Sequence, residues 1–412
     1  MWQTCVDQAG RLVLPPDLAA ELGLTPDAHT VLDVQGDSLR VRRPPSQLAR
    51  LDIEVTNRCN LNCATCMRRT WDEAVGDMDA ATFARILEGL LAFSPPPKVF
   101  IGGLGEPLLH RDIVDMVRQA KALGGKVELI TNASLLTPQI SRGLIEAGLD
   151  VLWVSLDGAT CESYVEVRRG GDLHGVLKNL DAFRRLRRPA IYATPALGIA
   201  FVAMRGNVAD LPAVFNLGRR VGASLYSVSN VLPYSAEMAS QTLYGSCLWQ
   251  RGDCPTPYTP RVELAKMHID DVTQPALWGL MRREADVVYA GVAFGAGDNR
   301  CPFIERGSGA VRWDGGLSPC PPLLHTHATL LDDRQRVARG WTIGNVNQDD
   351  LVALWHRPEH IAFRRRVQVF DFSPCIHCGG CEMAEANEED CFGNTFPTCG
   401  GCLWAQGVIR CP

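Results

Sequence analysis

Sixteen cysteines constrain this 412-residue chain more than any other feature, because they are not spread evenly. Three lie together at 59, 63 and 66. Nine lie between 301 and 411, and Cys5, Cys161, Cys247 and Cys254 are scattered. The opening residues, Met1-Trp2-Gln3-Thr4-Cys5-Val6-Asp7, show neither the basic nor the apolar stretch of an export signal. The expected location is therefore the cytoplasm. There, clustered cysteines are metal ligands more often than disulfides. The four scattered cysteines read as small buried apolar residues.

Composition sets the outer limits. Hydrophobic residues make up 46% and charged residues 21%, with a net charge of -5. That balance excludes a disordered chain and argues against general nucleic-acid binding. No uninterrupted apolar run reaches the ~18 residues of a membrane span, so no membrane partner is expected. The length points to two or three domains.

Residues 1–45 read as a separate small unit. Arg11–Leu14 has strand character, Asp17–Gly23 makes one or two helical turns, and Thr30–Val41 gives two strands around Gly36-Asp37. The run Val6–Pro15 followed by Leu22-Gly23-Leu24 resembles the swapped-hairpin AbrB/SpoVT-like fold. That resemblance implies an interlocked homodimer, and many of its members bind DNA. Four arginines (Arg11, Arg40, Arg42, Arg43) face six carboxylates (Asp7, Asp17, Glu21, Asp27, Asp33, Asp37) in this unit. A phosphate backbone is poorly served by that balance, so assembly is favoured over DNA. The turn Pro26-Asp27-Ala28-His29 also departs from the usual Pro-Gly-Asp.

From Leu51 the pattern changes. Short apolar strands (Leu51–Val55, Lys98–Ile101, Lys126–Thr131, Val151–Leu156, Ala196–Val202, Leu225–Ser229) alternate with segments of helical spacing such as Ala80–Phe93, Asp112–Leu123 and Leu173–Leu186. Such alternation makes parallel βαβ units. Six repeats predict an α/β fold with a partial TIM-like barrel, (β/α)6, whose site lies at the carboxyl ends of its strands. The domains expected are 1–45, a barrel at 46–234, a bridge at 235–300 with a helix over Gln274–Val288, and a Cys-rich unit at 301–412.

Cys59-x3-Cys63-x2-Cys66 falls in the loop leaving the first strand. Three thiolates on one short loop hold three corners of a cubane iron–sulfur cluster and leave one iron open. A structural zinc wants a fourth local ligand, and the loop has no His. A redox CxxC at Cys63/Cys66 leaves Cys59 unexplained. CxxxCxxC after a strand resembles the signature of the radical S-adenosylmethionine (SAM) superfamily. Further matches follow in order. Gly102-Gly103-Leu104-Gly105-Glu106-Pro107 resembles the element receiving the SAM amino group, through Gly102, Gly103 and Glu106. Thr131-Asn132 resembles the ribose element, with Ala133 where glycine is usual. Ser155-Leu156-Asp157-Gly158 resembles a SAM-contacting element, and Arg168 matches an Arg that pairs the SAM carboxylate. Thr65 stands where relatives carry an aromatic residue near the adenine. The resemblance implies SAM chelated to a [4Fe-4S] cluster and cleaved reductively to a 5′-deoxyadenosyl radical.

The remaining cysteines are Cys301, Cys320, Cys375, Cys378, Cys381, Cys391, Cys399, Cys402 and Cys411. Cys375-x2-Cys378 and Cys399-x2-Cys402 are spaced as in a zinc ribbon, but five more thiols are then left over. The segment resembles the SPASM extension of radical SAM maturases, through Cys301, Gly315–Cys320, Gly344-Asn345-Val346, Leu354-Trp355 and Cys375-x2-Cys378. Its last block departs, since Cys381 follows Cys378 after two residues rather than five. Two auxiliary clusters are expected.

Cys66–Trp71, the GGLGEP run, Asn387–Cys391 and the tail Cys399–Pro412 resemble radical SAM maturases of tungsten-cofactor oxidoreductases. The implied partner is a tungstopterin cofactor or its aldehyde-oxidoreductase-type enzyme, with ferredoxin or flavodoxin as electron donor. The rival readings are a SPASM-type peptide-modifying maturase, a radical SAM enzyme acting on an unrelated small molecule, and a non-catalytic redox-sensing DNA-binding regulator.

Overall fold

The computed structural model describes residues 3–24, 28–35, 38–187, 194–244, 261–265, 267, 270–281, 286–289, 292–293, 299–331, 334–373, 375–377 and 381–412. Cys247, Cys254, Cys378 and the Gly36-Asp37 turn lie outside these residues.

The amino-terminal unit follows the sequence expectation. β1 (Cys5–Val6) pairs antiparallel with β2 (Leu12–Val13), α1 spans Pro16–Leu22, and β3 (Leu32–Gln35) pairs antiparallel with β4 (Ser38–Val41). Val6, Leu12, Val13, Leu32, Val34 and Leu39 stay exposed. The unit is tied to the body by Arg40 and Arg42, which both pair with Glu305.

All six expected barrel strands form. In chain order the elements are β5 (Arg50–Glu54), α2 (Ala80–Leu90), β6 (Lys98–Gly102), α3 (Ile113–Ala122), β7 (Val127–Thr131), α4 (Pro138–Glu146), β8 (Val151–Ser155), α5 (Cys161–Val167), α6 (Leu173–Leu186), β9 (Ala196–Ala203), α7 (Leu211–Arg220) and β10 (Leu225–Asn230). The strands lie side by side in that order and every pair is parallel. Period-two alternation sorts β5: Leu51 and Ile53 are fully buried, while Asp52 and Glu54 line the barrel cavity. On α2, Phe83, Ile86, Leu87 and Leu90 form one buried stripe. Asp79 caps that helix, accepting from the Thr82 N–H at 2.7 Å.

The bridge corrects one expectation. The helix begins at Gln274 but stops at Met281. β11 (Arg261–Leu264) pairs parallel with β12 (Asp286–Tyr289), which pairs antiparallel with β13 (Val292–Ala293). The run Val287-Val288-Tyr289 is β-branched and aromatic, and pairing overrides its helical spacing.

The chain beyond Arg300 does not stand apart from the barrel. β14 (Ser308–Val311) adds parallel to the free side of β5, and β15 (Gly316–Ser318) continues the sheet antiparallel. β16 (His327–Leu331) and β17 (Arg334–Ala338) form a separate antiparallel pair. β18 (Gly344–Asn345) then closes the main sheet beside β15, giving nine strands. Val311, Leu317, Leu351, Leu354 and Trp355 share the barrel's hydrophobic core. The Trp355 indole donates to the Ser46 carbonyl at 2.9 Å.

Candidate functional site

The loop after β5 carries Cys59, Cys63 and Cys66 and is pinned on both sides. The Asn57 side chain donates to the Ala74 carbonyl at 2.8 Å and accepts from the Gly76 N–H at 2.8 Å. The Asn62 and Ala64 N–H groups donate to the Arg169 and Val167 carbonyls at 3.0 and 2.7 Å. Cys63 is buried, the other two are half-buried, and all three are free thiols. Burial pushes the Cys59 and Cys66 thiols up, against backbone N–H groups of Leu61 and Arg68 directed at their sulfurs. A bound metal cluster would supply the positive charge that buried thiolates lack. Among the described residues no three His, Cys, Asp or Glu side chains close on one point, as a mononuclear ion needs. A cubane binds each thiolate through a different iron, so its ligands stand farther apart.

The glycine-rich loop leaving β6 packs on this cysteine loop. The Glu106 N–H donates to the Arg58 carbonyl at 2.7 Å. A Cβ on Gly105 would lie 2.2 Å from the Thr56 carbonyl oxygen, so only glycine allows the approach. Glu106 itself is buried and takes three protein donors: the Thr131 hydroxyl at 2.6 Å, the Asn132 N–H at 2.7 Å and the Leu108 N–H at 3.0 Å. A carboxylate accepts about four hydrogen bonds, which leaves room for one ammonium donor. Burial pushes its acid up, and these donors pull it back.

Asn132 joins the two loops, donating to the Asn60 side chain at 3.0 Å and accepting from the Ser134 N–H at 2.9 Å. Ala133 holds the left-handed conformation, φ 59°, that a glycine would adopt freely. Ser155 ends β8, half-buried. Asp157, fully buried, accepts from Arg168 Nε at 2.6 Å and from the Val202 N–H at 2.7 Å. Arg168 is therefore no surface arginine. Its guanidinium also lies 3.6 Å from the Cys63 sulfur. Burial works against the Arg168 charge, but Asp157 and Cys63 more than offset it and hold the group firmly protonated.

Beside these loops lies a cavity of about 290 Å³. Asp52, Glu54, Phe100, Ile130, Ser229 and Asn230 project from the strands, and Cys66 and Leu104 line it from the loops. The chain's last residues, Ile409–Pro412, form another wall. Asn230 donates to the Val408 carbonyl at 2.9 Å, Ser229 accepts from the Arg410 N–H at 2.9 Å, and Arg50 donates to Pro412 at 2.8 Å. Sequence reasoning missed this closure. It also missed His325, whose ring lies 3.0 Å from Glu54 and 2.6 Å from Glu73 and stacks on Trp71 at 4.2 Å. The acidic alternation Asp52-x-Glu54 in an otherwise apolar strand was the available signal.

The carboxyl-terminal thiols separate into groups. Cys301, Cys320, Cys399 and Cys402 line one small cavity of about 60 Å³, walled by Phe303, Phe363 and Val367. Burial pushes all four thiols up. Four unpaired thiols around one apolar cavity fit a four-iron cluster. Cys375 is buried with its sulfur 3.0 Å from the Ser373 hydroxyl, Cys381 is half-buried and Cys391 is exposed. Arg336, largely buried, feels the charge of Cys375, Cys399 and Cys402. Cys411 lines the barrel cavity rather than the four-thiol one. Cys378, expected as a ligand, lies outside the described residues.

Residues 53–199 match the radical SAM superfamily, and residues 301–382 match an iron–sulfur cluster-binding domain, SPASM. The chain is 28% identical to the tungsten-containing aldehyde ferredoxin oxidoreductase cofactor-modifying protein of Pyrococcus furiosus, over 88% of this chain and 96% of that one. It is 30% identical to a probable GTP 3′,8-cyclase of Methanococcus maripaludis, over 45% of this chain and 60% of that one. Two solved structures share the fold. SuiB of Streptococcus suis bound to S-adenosylmethionine has a TM-score of 0.51 at 17% identity, covering 81% of this chain and 71% of that one. The enzyme anSMEcpe with bound AdoMet has a TM-score of 0.51 at 15% identity, covering 82% and 87%. The chain is thus a radical SAM enzyme, with a domain for the SAM-binding [4Fe-4S] cluster followed by a SPASM domain for auxiliary iron–sulfur clusters.

Proposed function

We propose that this enzyme modifies a tungstopterin cofactor, or the oxidoreductase that carries it, in the cytoplasm. The observation that carries the reading is the cavity of about 290 Å³ beside the cysteine loop. Its size suits a cofactor-sized molecule. Asp52 and Glu54 offer acceptors to an amino-pyrimidinone edge, and Phe100 and Ile130 offer apolar faces. Similarity along nearly the whole of the Pyrococcus furiosus protein supports the same substrate class.

Cys59, Cys63 and Cys66 would hold the SAM-binding cluster. When bound, that cluster and SAM supply a 5′-deoxyadenosyl radical for hydrogen abstraction. The protein's part is to orient and to exclude water. Glu106 receives the SAM ammonium at its remaining acceptor position. Asn132 sets the ribose side, and Ser155 and Asp157 hold the opposite rim. Arg168 is oriented by Asp157 toward the SAM carboxylate, as suits a planar anion. Gly102 and Gly103 keep the loop low enough for close approach. The tail 408–412 and the loop bearing His325 exclude solvent from the reacting pocket.

Cys301, Cys320, Cys399 and Cys402 would hold one auxiliary cluster. Cys375, Cys378, Cys381 and Cys391 supply the ligands of a second. Ferredoxin or flavodoxin is the electron donor, and the exposed apolar face of β1–β4 supports a homodimer through the amino-terminal unit.

Anaerobic reconstitution tests the reading. About twelve irons per chain fit three cubanes. Dithionite should then drive 5′-deoxyadenosine release, coupled to a mass change in an added tungstopterin enzyme. A mass change in a peptide instead would favour the peptide-modifying reading. Salt-dependent DNA binding without SAM cleavage would favour the regulator.

A further inference from the structure

A second cavity, of about 340 Å³, shares a wall with the barrel cavity. Trp404, Ile409, Arg410 and Cys411 line both. Its other lining residues include Arg40, Arg300, Arg306 and a single carboxylate, Glu305. Four guanidiniums thus face one concave space with one counter-charge among them.

Glu305 is already committed. One oxygen pairs with Arg40 at 2.5 Å, the other with Arg42, and Arg300 approaches at 3.7 Å. Arg306 donates Nε to the Pro302 carbonyl at 3.0 Å, which fixes its stem and leaves the outer nitrogens. Arg410 has its backbone anchored on Ser229, while its side chain is exposed. The nearest carboxylate behind the shared wall, Asp52, is bonded to Arg50 at 2.9 Å. Gathering like charges in a cleft is unfavourable unless an anion joins them. A concave low-dielectric wall focuses their field onto whatever enters. Guanidinium forks match phosphate oxygens in pairs.

We infer that Arg306 and Arg410, with Arg40 and Arg300 behind them, form a binding subsite for a phosphate monoester at one end of the substrate, whose reacting part lies in the adjoining barrel cavity. The inference rests on the reading above only in placing the reacting part there. It adds that the substrate is a phosphorylated small molecule. It also gives the amino-terminal unit a part in the site, through Arg40. The shared wall at Arg410 sets the geometry: the ring system contacts Asp52 and Glu54, and the phosphate lies past Cys411.

Isothermal titration of the anaerobically reconstituted full chain tests this without turnover. Inorganic phosphate should saturate at one per chain and weaken as salt rises. Guanosine 5′-monophosphate, an amino-oxo-pyrimidine carrying a phosphate monoester, should bind at least tenfold tighter than guanosine and should compete with phosphate. Arg306→Gln and Arg410→Gln should each weaken phosphate binding at least fivefold, and Arg306→Lys should do so less. Both side chains are exposed, so the variants should fold. Phosphate that fails to saturate, or that binds the Gln variants as it binds the wild type, overturns the subsite. Saturable phosphate without competition from the nucleotide overturns its assignment to the substrate. Release of 5′-deoxyadenosine by the wild type is scored separately, so a failure of the radical reading is not confused with a failure of this one.

Discussion

His325 reaches Glu54 across 271 residues of sequence, its Nε2 lying 3.0 Å from the carboxylate on the first barrel strand. Both side chains are fully buried, and the far ring nitrogen meets Glu73 at 2.6 Å. The carboxyl-terminal extension is thereby bonded to the wall of the reaction cavity.

That bond makes stability depend on pH. Burial lowers the His325 pKa, but Glu54 and Glu73 outweigh it and the net shift is upward from 6.5. A group raised on folding contributes its full stability below the unfolded value and loses it as pH rises through the folded value. His325→Phe, which keeps a ring against Trp71, should lower Tm most near pH 6. The deficit should shrink toward pH 9. An equal Tm deficit at both pH values would count against the bridge.

The Arg168–Asp157 pair offers a second test. Removing one partner of a buried ion pair costs about 3–5 kcal/mol. Asp157→Asn should lower stability by that order and raise the SAM concentration for half-maximal 5′-deoxyadenosine release at least tenfold. Arg168→Lys keeps the charge but loses the fork, so affinity should fall with less loss of stability. Unchanged SAM dependence in both variants would remove Arg168 from the SAM site.

The thiols should count out separately. Replacing Cys59, Cys63 and Cys66 together by Ala should remove about four irons per chain and abolish SAM scission. Replacing Cys301, Cys320, Cys399 and Cys402 should remove about four others. Iron analysis with electron paramagnetic resonance reads both. Loss of zinc in place of iron would reject the cluster assignment.

Backbone sterics give a fourth prediction. Gly105→Ala drives a methyl into the Thr56 carbonyl, and overpacking of this kind costs about 1–3 kcal/mol. Ala133→Gly should be neutral within about 1 kcal/mol, because relief of the left-handed strain offsets a lost buried methyl. Chemical denaturation of both variants decides it. A Gly105→Ala variant as stable as the wild type would show that the two loops are not in contact.

Local pattern alone determined much of this protein. Period-two runs such as Leu51–Val55 and the stripes of α2 and α6 announced each strand and helix, because periodicity records which side of an element is buried. The Cys59-x3-Cys63-x2-Cys66 trio was legible for the same reason: all three ligands sit on one short loop. The run at 286–289 misled, since its apolar spacing fits a helix and only its partner strand makes it β. Tertiary structure alone decided that β14 would extend the barrel sheet, that four of nine carboxyl-terminal thiols share a cavity, that Pro412 meets Arg50, and that four arginines converge near Cys411. Those meetings join residues up to several hundred positions apart. A one-dimensional pattern states that a side chain is buried, and only the path of the folded chain selects what it is buried against.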